Sequence, residues 1–292
     1  MTLHTYLSQK LSPKTVKLYL RDIDIYVKET SEKKALKATW SDIMEYVEHL
    51  RTRYHNARTI TRVLYAIKAY YHWLIETGAR EDHPCRGIRL RDAKNTPIQL
   101  QDLFKPEELE KLIQRKERYN AATLKNKVVT SLLIYQGITI DEIIRLKVRD
   151  INLEPGNINI RPTRKINGRI LPLKPPQIML FYKYLNEVRP KLTKDATSET
   201  FLINLRGSPI TNEDVQYLIE TMQNRFPGRK LNPRTIRMSV ICNMLKAGHD
   251  LRVVQAFAGH KKISSTERYR PSASEALKTA VNEYHPLGQL CN

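Results

Sequence analysis

Residues Leu231–Tyr269 read LNPRTIRMSVICNMLKAGHDLRVVQAFAGHKKISSTERY. A helix opens at Pro233, with Met238, Val240, Ile241, Met244 and Leu245 as its core side. Arg234 and Arg237 stand three residues apart and so share one helix face. His260, preceded by Gly259, lies 23 residues after Arg237, and Tyr269 nine residues beyond His260. Cations, an imidazole and a phenol are the groups needed to attack a phosphodiester without a metal. A phenol with a pKa of about 10 is a weak nucleophile at neutral pH. Neighbouring arginines favour its phenolate and neutralise the non-bridging phosphate oxygens as charge builds. Singly, each residue has a duller reading: a packing tyrosine, surface arginines, a histidine bridging a turn. The joint spacing is what points to chemistry.

The rest of the chain suits a polyanionic partner. Its 292 residues carry 50 Lys+Arg against 30 Asp+Glu, a net charge of +20. Dividing at Leu103 gives 18 against 12 (+6) before it and 32 against 18 (+14) after it. Both halves can therefore touch phosphate. Cys85, Cys242 and Cys291 are scattered and match no metal-ligand spacing. No Walker-type glycine loop, carboxylate cluster or Cys/His ligand set occurs, so no cofactor and no metal is expected. MTLHTYLSQK lacks the apolar core of a signal peptide, and no apolar run approaches ~18 residues. These features predict a soluble cytoplasmic protein, nucleoid-associated, with no membrane partner.

Read from its start, the chain predicts a small helical domain over 1–90. Ser12-Pro13 starts one helix, with Leu18, Ile23, Ile25 and Val27 as an imperfect apolar face. Trp40-Ser41-Asp42 opens a second, with Ile43, Tyr46, Val47 and Leu50 at helical spacing. A third runs from Ala57 to Thr77 and ends at Gly78. Among its exposed cations, Arg58 and Arg62 are candidate DNA-backbone contacts. Residues 91–103 are polar and Pro-interrupted and read as a linker. A second domain over 104–273 begins at Lys105-Pro106-Glu107-Glu108, with acids near the positive helix end. Buried and amphipathic helices follow at 126–136 and 141–146. Asn157 to Leu173 reads as strand, turn, strand, with Asn167-Gly168 as a two-residue hairpin turn. Lys165 and Arg164 sit beside that turn. Further helices are expected at 176–189 and 212–226, and a short one at 274–283. The fold class expected is mainly α with a small β-hairpin or sheet.

RTIR followed by DLRVVQAFAGHKKISSTERY resembles the HxxR box, "LG-H" step and nucleophile segment of the tyrosine recombinases, the phage integrases and Xer-like enzymes. GITIDEIIRLKVRDINLEPGNINI resembles that family's first-arginine box, G-L-R-x-S-E-L-x-x-L-x-W-x-D-I-D. The Tyr71-x-Trp73-Leu74 and His83-Pro84 ending resembles its core-binding helical domain. The resemblance implies an N-terminal core DNA-binding domain and an α+β catalytic domain. It also implies double-stranded DNA with specific core sites as partner, a homotetramer on DNA in which residues 274–292 contact a neighbouring subunit, and accessory DNA-bending proteins. It makes Tyr269 the nucleophile, Arg237 the second catalytic arginine and His260 the third-box residue. Lys165 is then the hairpin general acid, with Arg164 as the other register; Arg164 and Lys262 join the DNA contacts. Two positions depart from the pattern. Thr139 stands where the family has its first arginine, and Arg234 where it has the histidine of HxxR. Thr cannot clamp two phosphate oxygens as a guanidinium does, and one lost donor typically costs on the order of 3–4 kcal/mol. Arg234 is expected to restore the missing cation. The implied activity is strand cleavage and rejoining through a 3′-phosphotyrosyl link. The alternatives are a DNA-binding protein that no longer cleaves and a topoisomerase-like nicking-closing enzyme.

Overall fold

The computed structural model describes residues 1–91, 102–195 and 197–270. The chain divides into two compact units, Met1–Thr96 and Pro97–Asn292, each with its own apolar core.

In the first unit the described helices are α1 Leu3–Lys10, α2 Pro13–Thr30, α3 Glu32–Lys37, α4 Trp40–Arg53 and α5 Ala57–Glu76. Their starts follow capping chemistry. The Ser12 hydroxyl accepts from Thr15 N–H ahead of Pro13, and Thr39 and Asp42 form a capping box ahead of α4. The short α1 and α3 lie outside the helices expected, because six to eight residues show too little apolar periodicity to read. The apolar face of α2 also differs. Of Leu18, Ile23, Ile25 and Val27 only Ile23 is fully buried, and Leu18 is 40% exposed. The buried stripe is Val16, Ile23 and Tyr26, which keeps helical period only if tyrosine is read as core. The Tyr26 and Tyr71 hydroxyls hydrogen-bond at 2.6 Å, and Tyr71 donates onward to the Ala35 carbonyl at 2.8 Å. Burial pushes the Tyr26 phenol up to about 12. Arg58 is exposed in the first turn of α5. Arg62 is turned inward onto Asp22, whose side chain is 3% exposed. It neutralises a carboxylate of its own unit, since an unpaired buried charge is costly.

The second unit opens with α6 Pro106–Ile113, α7 Asn120–Tyr135 and α8 Ile140–Ile143. An antiparallel sheet in the order β1-β2-β3 follows, with β1 Ile151–Asn152, β2 Asn157–Ile160 and β3 Arg169–Pro172. Then come α9 Pro175–Lys183, a π-helical turn Tyr184–Val188, α10 Arg189–Leu192, α11 Asn212–Glu220, α12 Pro233–Lys246, α13 Leu251–Ala258 and α14 Ser264–Glu267. Helix α7 is the central one. Val128, Val129, Leu132 and Leu133 are all inaccessible, and α7 packs against α6, α9 and α12. The architecture is the mainly helical fold with a small sheet that the sequence predicts. Leu103, the last residue of the expected linker, is buried against Met238 and Cys242. The rest of that linker, Arg91, Asp102 and Leu103 aside, lies outside the described residues, as do 274–292 and the helix expected at 274–283.

The hairpin needs one correction. Register pairs Ile160 with Arg169, so the β2–β3 connection is longer than two residues and Asn167-Gly168 is not its tip. The chain reverses instead at Arg164-Lys165, where Thr163 N–H donates to Ile166 O at 2.8 Å. Asn167 is drawn away by a neighbouring segment: its N–H donates to Gly259 O at 2.8 Å, and Ile166 bridges His260. A tertiary partner has overridden the local turn signal.

Candidate active site

Four separate segments of the second unit meet at one buried cluster. The first is the turn into α8. Thr139 is its N-cap: the Thr139 hydroxyl accepts from Glu142 N–H at 3.3 Å, and the Glu142 carboxylate accepts from Thr139 N–H at 2.7 Å and from its hydroxyl at 2.9 Å. The position that lacks an arginine is thus occupied by capping chemistry, and it aims Glu142 inward. The Glu142 side chain is 2% exposed.

The second segment is β3. Leu171, paired with Ile158, is buried, and Ile170 is 68% exposed. Side chains alternate along a strand, so Arg169 shares the inward face with Leu171. Its Nη1 donates to Glu142 Oε1 at 2.6 Å and its Nε to Phe257 O at 2.6 Å. Its Nη2 is the one buried side-chain nitrogen or oxygen among the described residues that has no hydrogen-bond partner.

The third is α12, which carries Arg237 inward at 8% exposure. Nη1 donates to Gly137 O and Nη2 to Ala258 O, each at 2.6 Å, and Nη1 lies 3.9 Å from Glu142 Oε2. One side chain thereby joins the turn before α8 to the end of α13. Burial lowers the proton affinity of Arg237, with Arg169 pushing the same way; Glu142 and the Tyr269 phenol oppose it.

The fourth runs from Gly259 to Tyr269. Gly259 closes α13 in the left-handed region at φ +69, a conformation that favours glycine. A Cβ there would stand 2.7 Å from Arg169 Nη1 and Ile166 Cγ2 and 2.9 Å from Asn167 O. Gly259→Ala is therefore expected to lower unfolding free energy by about 1–3 kcal/mol. Urea melts check this, and an unchanged midpoint would refute the fit described. His260 Nδ1 lies 2.9 Å from the hydroxyl of Thr266, which is inaccessible to solvent. The His260 and Tyr269 rings stack with centroids 6.1 Å apart and planes 14° from parallel. Tyr269 also packs on Ile241, Val254 and Ala258.

Burial, then the charges of Arg237 and Arg169, lower His260 to about 4. The ring is neutral at pH 7 and offers one N–H. The folded value lies below the unfolded value of about 6.5, so folding prefers the neutral form. The corresponding stability is present above pH 6.5 and is lost as pH falls from there toward 4. NMR titration of the DNA-free protein should place the His260 midpoint near 4; a midpoint at or above 6.5 would refute this environment. Burial is the largest single influence and would raise the Glu142 carboxyl, but the bond to Arg169, the Arg169 charge, the Thr139 N–H and the Arg237 charge together outweigh it and hold the group below its ordinary range.

Of the residues expected at the site, Tyr269, Arg237 and His260 come together. Lys165 and Arg164 are exposed at the hairpin tip, with Lys165 adjacent to the Ile166 that bridges His260. Lys262 is exposed. Arg234 is exposed in the first turn of α12, between buried Pro233 and Ile236. Glu142 and Arg169 went unnoticed in the sequence. Glu142 had a signal, since Thr139-x-x-Glu142 is a capping-box pattern; Arg169 had none, since the adjacent Ile170 and Leu171 are both apolar and leave the phase of the strand open. Among the described residues no group of three or more His, Cys, Asp or Glu side chains is placed to hold a metal ion, and no helix is long and apolar enough to cross a membrane.

Residues 102–276 match the phage integrase family and residues 3–78 the phage integrase N-terminal SAM-like domain. Tyrosine recombinase XerD of Listeria monocytogenes (serotype 4b, strain F2365) is 28% identical over 285 residues, covering 94% of each chain. Among solved structures, XerH site-specific recombinase bound to palindromic difH substrate, a post-cleavage complex, superposes with a TM-score of 0.72. It is 20% identical and aligned over 92% of this chain and 78% of its own. The Tn1549 transposon integrase in complex with circular intermediate DNA gives a TM-score of 0.68 at 17% identity, over 96% and 99%. With the family's pattern covering more than half its length and the buried arginine and half-buried histidine and tyrosine in one cluster, this chain belongs to the phage integrase family of tyrosine recombinases, enzymes of site-specific DNA recombination.

Proposed function

We propose that the second unit cleaves and rejoins DNA at specific core sites through a covalent link to Tyr269. The observation that carries this is the stack of Tyr269 on His260 beside Arg237, whose two carbonyl bonds fix it to both neighbouring motifs. The Tyr269 oxygen attacks the scissile phosphorus, a P–O bond to tyrosine forms, and the bond to the 5′-oxygen breaks. The phenol gives its proton to solvent water, and Lys165, or Arg164 in the other register, gives one to the leaving 5′-oxygen and is reprotonated from solvent. The product is a 3′-phosphotyrosyl link and a free 5′-hydroxyl. Transesterification keeps the bond energy, so neither a nucleotide nor a metal is needed. Arg237 neutralises a non-bridging oxygen, and neutral His260 donates its N–H to the phosphate.

Exposed Arg58, Arg164, Arg234 and Lys262 are assigned to the DNA backbone, and Arg62 only in part, since Asp22 already holds it. Residues 1–90 form the core-binding domain, 91–103 the tether and 104–273 the catalytic domain on this reading. Residues 274–292 dock on a neighbouring subunit in a tetramer on two duplexes, with accessory bending proteins where the site demands a sharp bend. The test uses a nicked duplex carrying the sequence that the protein itself selects from a randomised pool. An adduct stable to denaturant, mapping to the peptide that contains Tyr269, is expected. A mobility shift with no adduct would mean binding alone, and supercoil relaxation without strand exchange would mean a nicking-closing enzyme.

A further inference from the structure

Three charges lie inside the cluster: Glu142 (−1), Arg169 (+1) and Arg237 (+1), which sum to +1. Without Arg169 that sum is zero, and a pocket meant for a phosphate has no net attraction for one. Buried ion pairs give a fold little stability that well-packed apolar residues could not supply, so the Arg169–Glu142 pair is not explained by folding. The spare nitrogen is harder still to explain. Burying a donor without an acceptor costs about 1–3 kcal/mol, and such an atom in a native fold calls for a reason. Arg169 has five N–H donors. Nε and Nη1 are engaged by Phe257 O and Glu142, while both N–H groups of Nη2 are uncommitted within a side chain 6% exposed.

We propose that Arg169 replaces the arginine absent at Thr139, with Nη2 as the donor kept for a non-bridging oxygen of the scissile phosphate. The assignment rests on the strand-transfer reading of this same pocket. It gives the missing charge to β3 instead of to α12 and Arg234. The location fits. Arg169 acts on the same carboxylate as Arg237, it lowers the proton affinity of His260, and its Nη1 lies against the left-handed Gly259. Nη2 is covered in the DNA-free chain. Docking must therefore part the contact of the hairpin loop with Gly259-His260, which is the Ile166–His260 bridge and the bond from Asn167 N–H to Gly259 O at 2.8 Å. The Glu142 carboxylate stays on Nη1 and keeps the fork oriented.

The test separates phosphate contact from a structural role. Nicked duplexes of the self-selected sequence are prepared with either a phosphodiester or a methylphosphonate at the scissile position. In the methylphosphonate a neutral methyl replaces one charged oxygen, so the group that neutralises that oxygen loses its importance. Arg169→Gln/Glu142→Gln removes both members of the buried pair, and Arg237 keeps its bonds to Gly137 O and Ala258 O as the one charge left in the cluster. The double variant's single-turnover adduct rate is expected to fall about 10²–10³-fold on the phosphodiester and less than about tenfold on the methylphosphonate. Arg169→Lys, which keeps a charge on Glu142 but loses the fork, should show the same bias and covers the case in which the double variant does not fold. Equal losses on both substrates, or no loss on either, overturn the assignment while leaving the Tyr269 adduct of the wild-type protein intact. Absence of that wild-type adduct would instead sink the strand-transfer reading and this assignment with it.

Discussion

Tyr269→Phe is expected to abolish the covalent protein–DNA adduct while leaving affinity for the same duplex within about threefold. The change removes one oxygen. The ring keeps its packing on Ile241, Val254 and Ala258 and its stack on His260, and the backbone bond from residue 269 N–H to Thr266 O is untouched. A melt should therefore coincide with the wild-type one, and any lost activity is chemical. Deleting a nucleophile leaves only binding and charge stabilisation, so a fall of at least about 10⁴-fold is expected. The measurement is the band retained on a denaturing gel with the nicked duplex. The chain has 15 tyrosines, several of them exposed, among them Tyr65, Tyr119, Tyr182 and Tyr217. An adduct surviving in Tyr269→Phe would hand the chemistry to one of these, and the pocket described above would have no reaction to perform.

How much of this was legible before the fold is best judged residue by residue. Tyr269, His260 and Arg237 could be read because they lie in one continuous stretch whose spacing along two helices and a turn is fixed locally. The helix starts could be read because Ser12 and Thr39 accept from backbone donors three residues on, Pro106 removes one such donor, and Glu108 accepts from Lys105 N–H at 2.8 Å. Arg169 could not be placed in the same way. Its inward phase depends on the Ile160–Arg169 register, and that register depends on a loop whose Asn-Gly pair is held by Gly259, some 90 residues away. The same loop misled the turn assignment. Arg234 and Arg237 share a helix face by their i, i+3 spacing, yet that rule orders neighbours on a helix and does not say which of them is buried; here it is Arg237, and Arg234 is exposed. Tyr26 and Tyr71 hid the α2 stripe because tyrosine is apolar in the ring and polar at the tip, and here both tips bond each other. What escaped the sequence is therefore the long-range part: a strand register and the residue it turns inward.

Arg237→Lys carries the second large expected effect, because Arg237 does two jobs with one guanidinium. Its outer nitrogens close onto Gly137 O and Ala258 O, at 2.6 Å each, from residues 100 before and 21 after it in sequence. Lysine has three donors on a single nitrogen and cannot span two carbonyls on opposite sides of a planar fork. At least one carbonyl is left buried and unpaired, which costs about 1–3 kcal/mol and should appear as a lower urea midpoint. The chemical loss adds to this. A positioned donor to the phosphate is worth about 10²–10³ in rate, and loosening the end of α13 displaces His260 as well. The adduct rate of Arg237→Lys should thus fall by 10³-fold or more, about the product of a lost donor and a shifted histidine. Arg237→Ala should fall further and melt earlier, since both carbonyls then lose their donor and Glu142 keeps Arg169 alone. Two readings separate the roles. If the site is a phosphate clamp, guanidinium added to Arg237→Ala should recover part of the cleavage without restoring the melt, because a free ion can fill the charge but cannot tie the two motifs. A Lys variant that folds, binds DNA and cleaves within tenfold of wild type would mean that the charge at 237 is not used on the phosphate, leaving Arg237 as a tie between helices.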